Sequence, residues 1–501
     1  ILEKMVTTAT CPECKGSRVN EKIRSCKING KSLADIDDMM IPEVIEFIKS
    51  IDHPLSQDLK RELVKRLTAL TDIGLGYLSL SRSTGTLSGG EAQRIKIAKY
   101  INSALTDMAY VLDEPSVGLH AKDIELLKNS LIKLKNHGNT ILIVEHHREI
   151  IKMADFIIDM GPKAGTQGGE IIFKGTYDEI IKSDNLTGRL LERKGTIKKD
   201  TRKPTGWFSI NNAKLHNLKN VSVELPLGIL TVIAGVAGSG KSSLMEYFQN
   251  NFYENVISIN QKDIGINLRS TPATYLDISD GIRNLFAHEN KVGQSLFSFN
   301  SKGACPACKG KGIIVSDMSF MDSIETVCDI CHGKRFSQEV LKYSYRDKNI
   351  ADVMDLSVTE AIEFFEGESF IDRLESLEKV GLGYIHLNQS MSTLSGGELQ
   401  RVKLASQLNQ KGAVFILDEP TDGLHLDDVG KLMKLFNNLV DEGNSLFLVE
   451  HSLDVIKDAD YIVELGPGGG LSGGNILFTG TPEEMLSSKI SVTRPYLKEF
   501  C

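Results

Sequence analysis

Gly235-Val236-Ala237-Gly238-Ser239-Gly240-Lys241-Ser242 fits G-x-x-x-x-G-K-[ST], the phosphate-binding loop. An apolar run, Ile229 to Ala234, leads into it and reads as a buried strand. Ser243 to Asn250 leads out of it and reads as the start of a helix. Strand, glycine turn and helix in that order are the context the motif needs. The glycines let backbone N–H groups turn inward around phosphates. Lys241 reaches the terminal phosphates, the Ser242 hydroxyl binds Mg²⁺, and the helix N-terminus adds positive potential.

The 501 residues around this loop predict two or three domains with ample core. A composition 41% hydrophobic and 25% charged is that of a soluble globular protein, and the net charge of −8 confines any DNA surface to a local basic patch. No run of 18 apolar residues and no signal peptide stand in the sequence, so neither a membrane span nor secretion is expected. Six of the eight cysteines lie in C-x-x-C pairs, which points to metal in a reducing cytoplasm and not to disulfides.

The chain repeats itself. Asp113 and Asp418 are 305 apart, and so are His146 and His451. Leu87-Ser88-Gly89-Gly90-Glu91-Ala92-Gln93-Arg94 is matched by Leu394-Ser395-Gly396-Gly397-Glu398-Leu399-Gln400-Arg401, and Ile73-Gly74-Leu75-Gly76-Tyr77 by Val380-Gly381-Leu382-Gly383-Tyr384. Cys11-Pro12-Glu13-Cys14 is matched by Cys328-Asp329-Ile330-Cys331. The second copy has its phosphate loop about ninety residues before Cys328, but only ten residues precede Cys11. With Ile1 in first place, that points to an N-terminally truncated piece of a longer protein, the rival being a natural protein that lost the region. The expected organisation is a first copy at 1–193, a solvated basic linker at 194–206 that could strap DNA, and a second copy at 207–501. Ala109 to Leu112 and Thr140 to Val144 read as buried strands, and their alternation with helices predicts a largely parallel α/β sheet.

Asp418-Glu419 ends an apolar run, Val414 to Leu417. An Asp there can hold Mg²⁺ and the following Glu can polarise water, the two tasks phosphoryl transfer asks for. Asp113-Glu114 is the same device in the first copy. His146 and His451 recur at identical spacing, which favours a γ-phosphate contact. Gln261, beyond the strand expected at Val256 to Asn260, could reach the metal and attacking water. Cys305-x-x-Cys308, nineteen residues, then Cys328-x-x-Cys331 predicts a closed structural zinc site, in a module at about 300–336. Cys11 and Cys14 read as half of a similar module.

The Leu-Ser-Gly-Gly-Glu signature, the Asp-Glu-Pro strand end and the terminal His resemble those of ATP-binding cassette ATPases. The resemblance implies two tandem α/β cassettes packed head to tail, with helical signature arms and the phosphate loop of one facing the signature of the other. Carried over, Gly235, Gly238, Ser239, Gly240, Lys241, Ser242, Ser243, Asp418, Glu419, His451 and Gln261 share one ATP site with Ser88, Gly89 and Gly90. Asp113, Glu114, His146, Ser395, Gly396 and Gly397 make a second, incomplete one, expected to be non-functional. A zinc module between phosphate loop and signature, with Arg269 to Tyr275, Phe297-Ser298-Phe299-Asn300, Cys328 to Phe336, Asn349 to Val353 and Thr393 to Lys403, resembles the UvrA family, the excinuclease ATPases of nucleotide excision repair. That resemblance covers nearly the whole chain. It implies ATP, Mg²⁺ and Zn²⁺ as cofactors, damaged double-stranded DNA as partner, a homodimer, a UvrB-like partner through the missing N-terminal region, and a cytoplasmic location.

Departures are visible. Ile266, Asn267 and Leu268 precede Arg269, and Gly293 to Leu296 precede Phe297, where the family usually has basic residues. Arg269, Arg283 and Lys291 remain the candidate DNA contacts. The chain looks like a shortened, divergent paralogue, and the alternatives are a factor conferring resistance to a DNA-binding drug, or a cassette ATPase that does not touch DNA.

Overall fold

The computed structural model describes residues 9–53, 57–87, 89–101, 106–162, 165, 168–252, 255–260, 269–316 and 324–501. Ser88 and Gln261 lie outside them.

The second copy is built on a six-stranded sheet. Its order is Val256–Ile259, Val414–Asp418, Ser445–Val449, Leu230–Gly235, Tyr461–Gly466, Asn475–Gly480. The first five strands run parallel and only the last is antiparallel. Strands such as Leu230–Gly235, buried along their whole length, carry near-continuous apolar runs because both faces are covered. One face packs against Leu244, Met245 and Phe248 of the phosphate-loop helix Lys241–Asn251. The other packs against the helix Leu426–Asp441 and the signature arm.

The first copy repeats this plan with pieces absent. Ala109–Asp113 pairs in parallel with Thr140–Val144, and Ile157–Gly161 pairs antiparallel with Glu170–Gly175. Among the described residues no strand joins the two pairs, whereas Leu230–Gly235 fills the corresponding place in the second copy. The sequence predicted buried strands here, and burial alternates instead. Val111, Leu142, Val144, Ile158 and Met160 are 49–69% exposed. Their counterparts at an offset of 305 are Ile416, Phe447, Val449, Val463 and Leu465, all on the face that the phosphate-loop helix covers. Nothing among the described residues covers that face in the first copy.

Each copy sends a helical arm to its signature. In the first, Ile41–Ser50 buries Ile41, Val44, Ile45 and Ile48 at helical spacing, against Leu67 and Ala69 of Gln57–Asp72. The arm ends in the signature helix, Gly89–Ile101 in the first copy and Gly396–Ala405 in the second. Ser395-Gly-Gly-Glu398 is itself a capping box: Ser395 accepts from the Glu398 N–H, and Glu398 returns the contact at 2.8 Å.

Residues 194–206 are solvated only in part: Lys194, Lys199 and Lys203 are exposed, but Lys198 and Arg202 are docked. Lys198 lies 2.6 Å and Arg202 2.9 Å from the fully buried Asp460 carboxylate. Arg202 also pairs with Asp441 at 2.7 Å. Two of the cations expected to make a basic strap are therefore committed to the second cassette.

Candidate functional site

The phosphate loop has the shape its glycines permit. Gly235, Gly238 and Gly240 all take positive φ, 136°, 70° and 105°. Lys241 is buried and its Nζ donates to the carbonyl oxygens of Gly235 at 2.8 Å and Val236 at 3.2 Å. The buried Ser239 hydroxyl has no hydrogen-bond partner. A lysine parked on carbonyls beside an orphan buried hydroxyl forms a set that an anion satisfies. Ser242 is exposed at the start of the helix and Ser243 is half-buried, its hydroxyl 3.2 Å from His216.

Asp418 ends a strand two positions away in the same sheet, so it stands on the edge the loop occupies. Glu419 follows in a left-handed conformation, φ 50°, and Glu114 repeats it at φ 45°. Such backbone is costly for a non-glycine residue, and it turns both carboxylates out of the sheet line at equivalent points. His451 places Nδ1 3.7 Å from Glu419 and Nε2 3.5 Å from Asp422. Burial alone would depress its pKa, but Asp422 and Glu419 lift it to about 9. Burial would raise Glu419, but the His451 contact and Lys241 hold it at about 2. Burial, with Glu419 and Glu450 nearby, pushes Asp422 well up.

The first copy supplies the facing wall. The Tyr77 ring lies where any side chain at Gly238 would have to go, within 2.8 Å of the position of its Cβ. Its hydroxyl donates to Glu91 of the signature helix, so phosphate loop and signature arm are linked through one tyrosine. Gly118 packs on Glu419, its Cβ position 3.5 Å from the carboxylate, and Gly423 packs on Glu114 at 3.3 Å. Each loop after a strand-end Glu thus rests on the other copy's Glu. Gly90 must be glycine because a Cβ would meet the Val117 carbonyl at 2.8 Å, and Gly397 approaches Asp422 in the same way at 3.1 Å. Gly89 and Gly396 open the two signature helices, and Ser395 caps the second.

Several residues at this junction escaped the sequence reading. Glu450 is fully buried and accepts from the N–H groups of Thr421, His451 and Ser452, which ties the His strand end to the loop after Glu419. Glu145 does the same for Ser116, His146 and His147. Their shared place before each His was a usable signal. His120 is buried; burial and nearby Lys241 push its pKa down to about 3. Its Nδ1 accepts from the Lys122 N–H, so the neutral ring carries its proton on Nε2, 2.9 Å from the Thr493 hydroxyl in the last turn before the C-terminal helix. His425 repeats this toward Thr187, at 3.4 Å. Asp123 is buried beside Lys241 and the Ala237 N–H.

In the incomplete second set, His146 Nδ1 lies 3.7 Å from Glu114, and Asp113 ends its strand beside Val144. No phosphate loop faces them among the described residues.

The four cysteines of the second module meet. Cys305, Cys308, Cys328 and Cys331 are all at least 95% buried, with sulfurs within 4.8 Å of one another. Cys308 and Cys331 are 3.6 Å apart, close to the ~3.8 Å edge of a tetrahedron with bonds of about 2.3 Å. Backbone N–H groups of Cys331 and Ile330 lower Cys328 to about 7. The set fits Zn²⁺. Left-handed turns at Lys309-Gly310 and His332-Gly333 build its two knuckles, and Lys15-Gly16 after Cys14 has the same turn.

The three basic DNA candidates stand differently. Arg269 donates to the Lys309 carbonyl at 2.8 Å, and Arg283 pairs with Asp280 and donates to Ser279. Lys291 is exposed, in a left-handed cap ending the helix Ile278–Asn290.

Residues 218–422 match the family described as ABC transporter. The chain aligns along its whole length with UvrABC system protein A of Staphylococcus aureus, 42% identical over 541 positions, and of Aquifex aeolicus, 44% identical over 543. It covers 57% and 59% of those two proteins, a little over half the length of the curated relatives it matches. Among solved structures, UvrA2 from Deinococcus radiodurans superposes with a TM-score of 0.92 at 38% identity, covering 98% of this chain and 66% of that one. No described helix is long and apolar enough to cross a membrane.

Proposed function

Because this chain is a UvrA-like ABC ATPase, we propose that it hydrolyses ATP at the site between its two cassettes and uses that cycle to work a surface for damaged duplex DNA in nucleotide excision repair. One observation carries the proposal: Lys241, Glu419 and His451 of the second copy meet Tyr77, Gly118 and His120 of the first across a single junction.

In this scheme Lys241 exchanges its two carbonyl partners for phosphate oxygens. Ser242 and Asp418 hold Mg²⁺, which supplies charge neutralisation at the transferred phosphoryl group. Glu419, kept ionised by His451 and Lys241, orients the attacking water, a task the sequence alone also assigns to Gln261. His451 meets the terminal phosphate. Ser88, Gly89 and Gly90 close the site from the opposite cassette with donors at a helix start. Asp113, Glu114, His146, Ser395, Gly396 and Gly397 form the counterpart site, which requires a phosphate loop from elsewhere. Zn²⁺ on the four cysteines is structural, because four thiolates leave no open position.

For DNA, Lys291 is the exposed group among the three candidates, with Arg269 and Arg283 as lesser contributors that must first give up internal partners. Lesions are sensed through duplex deformability, which tolerates chemical variety. A second copy of the chain and a UvrB-like protein are the proposed partners.

The test pairs two assays on the same preparation. Phosphate release should require Lys241 and vanish in Lys241→Ala. Duplex binding at 50 and 200 mM salt should favour a bulky adduct and weaken with salt, by a slope of about −0.9 for each phosphate contacted. Turnover without any adduct preference would leave an ATPase and remove the repair role.

A further inference from the structure

Asp422 has no part in the scheme above, yet it occupies the centre of the site. It lies three residues after Glu419, in the loop that packs against the first copy. Its side chain is 9% exposed; one oxygen is 3.5 Å from His451 Nε2, and Oδ2 has no hydrogen-bond partner. An imidazole offers two nitrogens. With Nδ1 turned to Glu419 at 3.7 Å, Nε2 is what remains for a third party, and Asp422 holds it.

The other copy serves as an internal control. At the offset of 305, the counterpart of Asp422 is Val117. His146 keeps its Glu114 contact, at 3.7 Å from Nδ1, and has no carboxylate from the loop residue at 117. The extra carboxylate therefore sits only in the copy that owns the phosphate loop. The buried setting makes its presence costly: two carboxylates and one imidazole share a site from which water is largely excluded. A hydrophobic residue is demonstrably compatible with the same loop, since Val117 occupies it and its carbonyl still meets Gly90 as the Asp422 carbonyl meets Gly397.

We propose that Asp422 is a positioning residue that stands in for the terminal phosphate of a nucleoside triphosphate on His451 Nε2. Both present an oxygen to the same ring nitrogen, and both compete for one N–H. A triphosphate must displace Asp422 to reach His451, whereas a diphosphate is too short to need the exchange. Asp422 thereby sets how strongly the site distinguishes triphosphate from diphosphate. It also recaptures the ring once the terminal phosphate leaves, so the empty and spent sites share one His451 position. The proposal rests on Lys241, Glu419 and His451 forming the ATP site.

The experiment is equilibrium binding of a non-hydrolysable ATP analogue and of ADP, each with Mg²⁺, to the full chain and to Asp422→Val and Asp422→Asn. Losing a competing contact to a charged group is worth about tenfold at the weak end of such contacts, as suits a 3.5 Å separation. Asp422→Val should bind the analogue about tenfold more tightly and ADP within twofold of wild type. Asp422→Asn, which keeps an oxygen for the ring nitrogen, should fall between and serves also if the valine variant does not fold. An unchanged ratio of analogue to ADP affinity in both variants overturns the proposal, as does an equal shift for both nucleotides, which marks Asp422 as merely structural. Wild type that binds neither nucleotide removes the ATP site itself, and the proposal with it.

Discussion

Replacing Asp460 strikes the point where the segment between the two cassettes is fastened to the strand that feeds the phosphate loop. Its carboxylate is fully buried and accepts four contacts: Lys198 at 2.6 Å, the Arg202 guanidinium at 2.9 Å, the Arg202 N–H at 3.0 Å and the Leu230 N–H at 3.0 Å. Asp460→Ala leaves two cations without their buried partner and the Leu230 N–H without an acceptor. Breaking a buried pair from one side costs roughly 3–5 kcal/mol. Asp460→Asn keeps an oxygen for one N–H and should cost about 1–3 kcal/mol. The sole tryptophan, Trp207, reports on the event: it follows the docked segment and meets Tyr461 edge-on at 5.9 Å. Urea unfolding followed by Trp207 fluorescence measures the loss. The pH dependence has a definite sign. Burial would raise Asp460, but Lys198 and the N–H donors hold it below the ordinary carboxylate value. Its contribution is complete above the unfolded value of about 3.9 and fades as pH falls through the lower folded value. A difference between wild type and Asp460→Ala below about 0.5 kcal/mol at pH 7, or one that stays constant on acidification to pH 3, would refute the reasoning.

Glu419→Gln removes the carboxylate assigned to the attacking water and should reduce turnover by about 10²–10⁴-fold while nucleotide still binds, read as retained nucleotide without phosphate release. Cys331→Ser should abolish stoichiometric zinc, measured by elemental analysis, and release the module, since structural zinc sites contribute on the order of 10 kcal/mol; Cys305→Ser should do the same. His120 is held neutral to about pH 3 and gains a proton on unfolding near its ordinary 6.5, so acidification below 6.5 should favour unfolding by up to ~1.4 kcal/mol per pH unit. His120→Phe should flatten that slope in thermal melts recorded from pH 7 to 5.

Motifs whose chemistry is local were legible from the chain alone. The phosphate loop and the paired C-x-x-C knuckles are set by neighbours a few residues away, and the internal repeat located the strand ends at Asp113 and Asp418. Burial and charge partners were not legible. Val111 and Leu142 look like core residues because their type is the same as in the second copy, but burial depends on what lies across from them. Lys198 and Arg202 look solvated until Asp460, more than 250 residues away, is brought beside them. Arg269 and Arg283 likewise read as free cations, because nothing in the chain marks Lys309 or Ser279 as their acceptors. Asp422 was missed for a different reason. Identity between the copies marks what they share, whereas this residue carries its meaning in a difference.

The two histidine contacts that cross between cassettes are not equally strong. His120 to Thr493 is short and buried, while His425 to Thr187 is longer and partly open to water. His120 stands beside Lys241 and His451, so the tighter fastening is on the side of the complete site. The looser one follows the loop that rests on Glu114, on the side of the incomplete set. Of these two contacts the shorter and more buried one lies next to the phosphate loop, so the junction is fastened more closely there than beside Glu114.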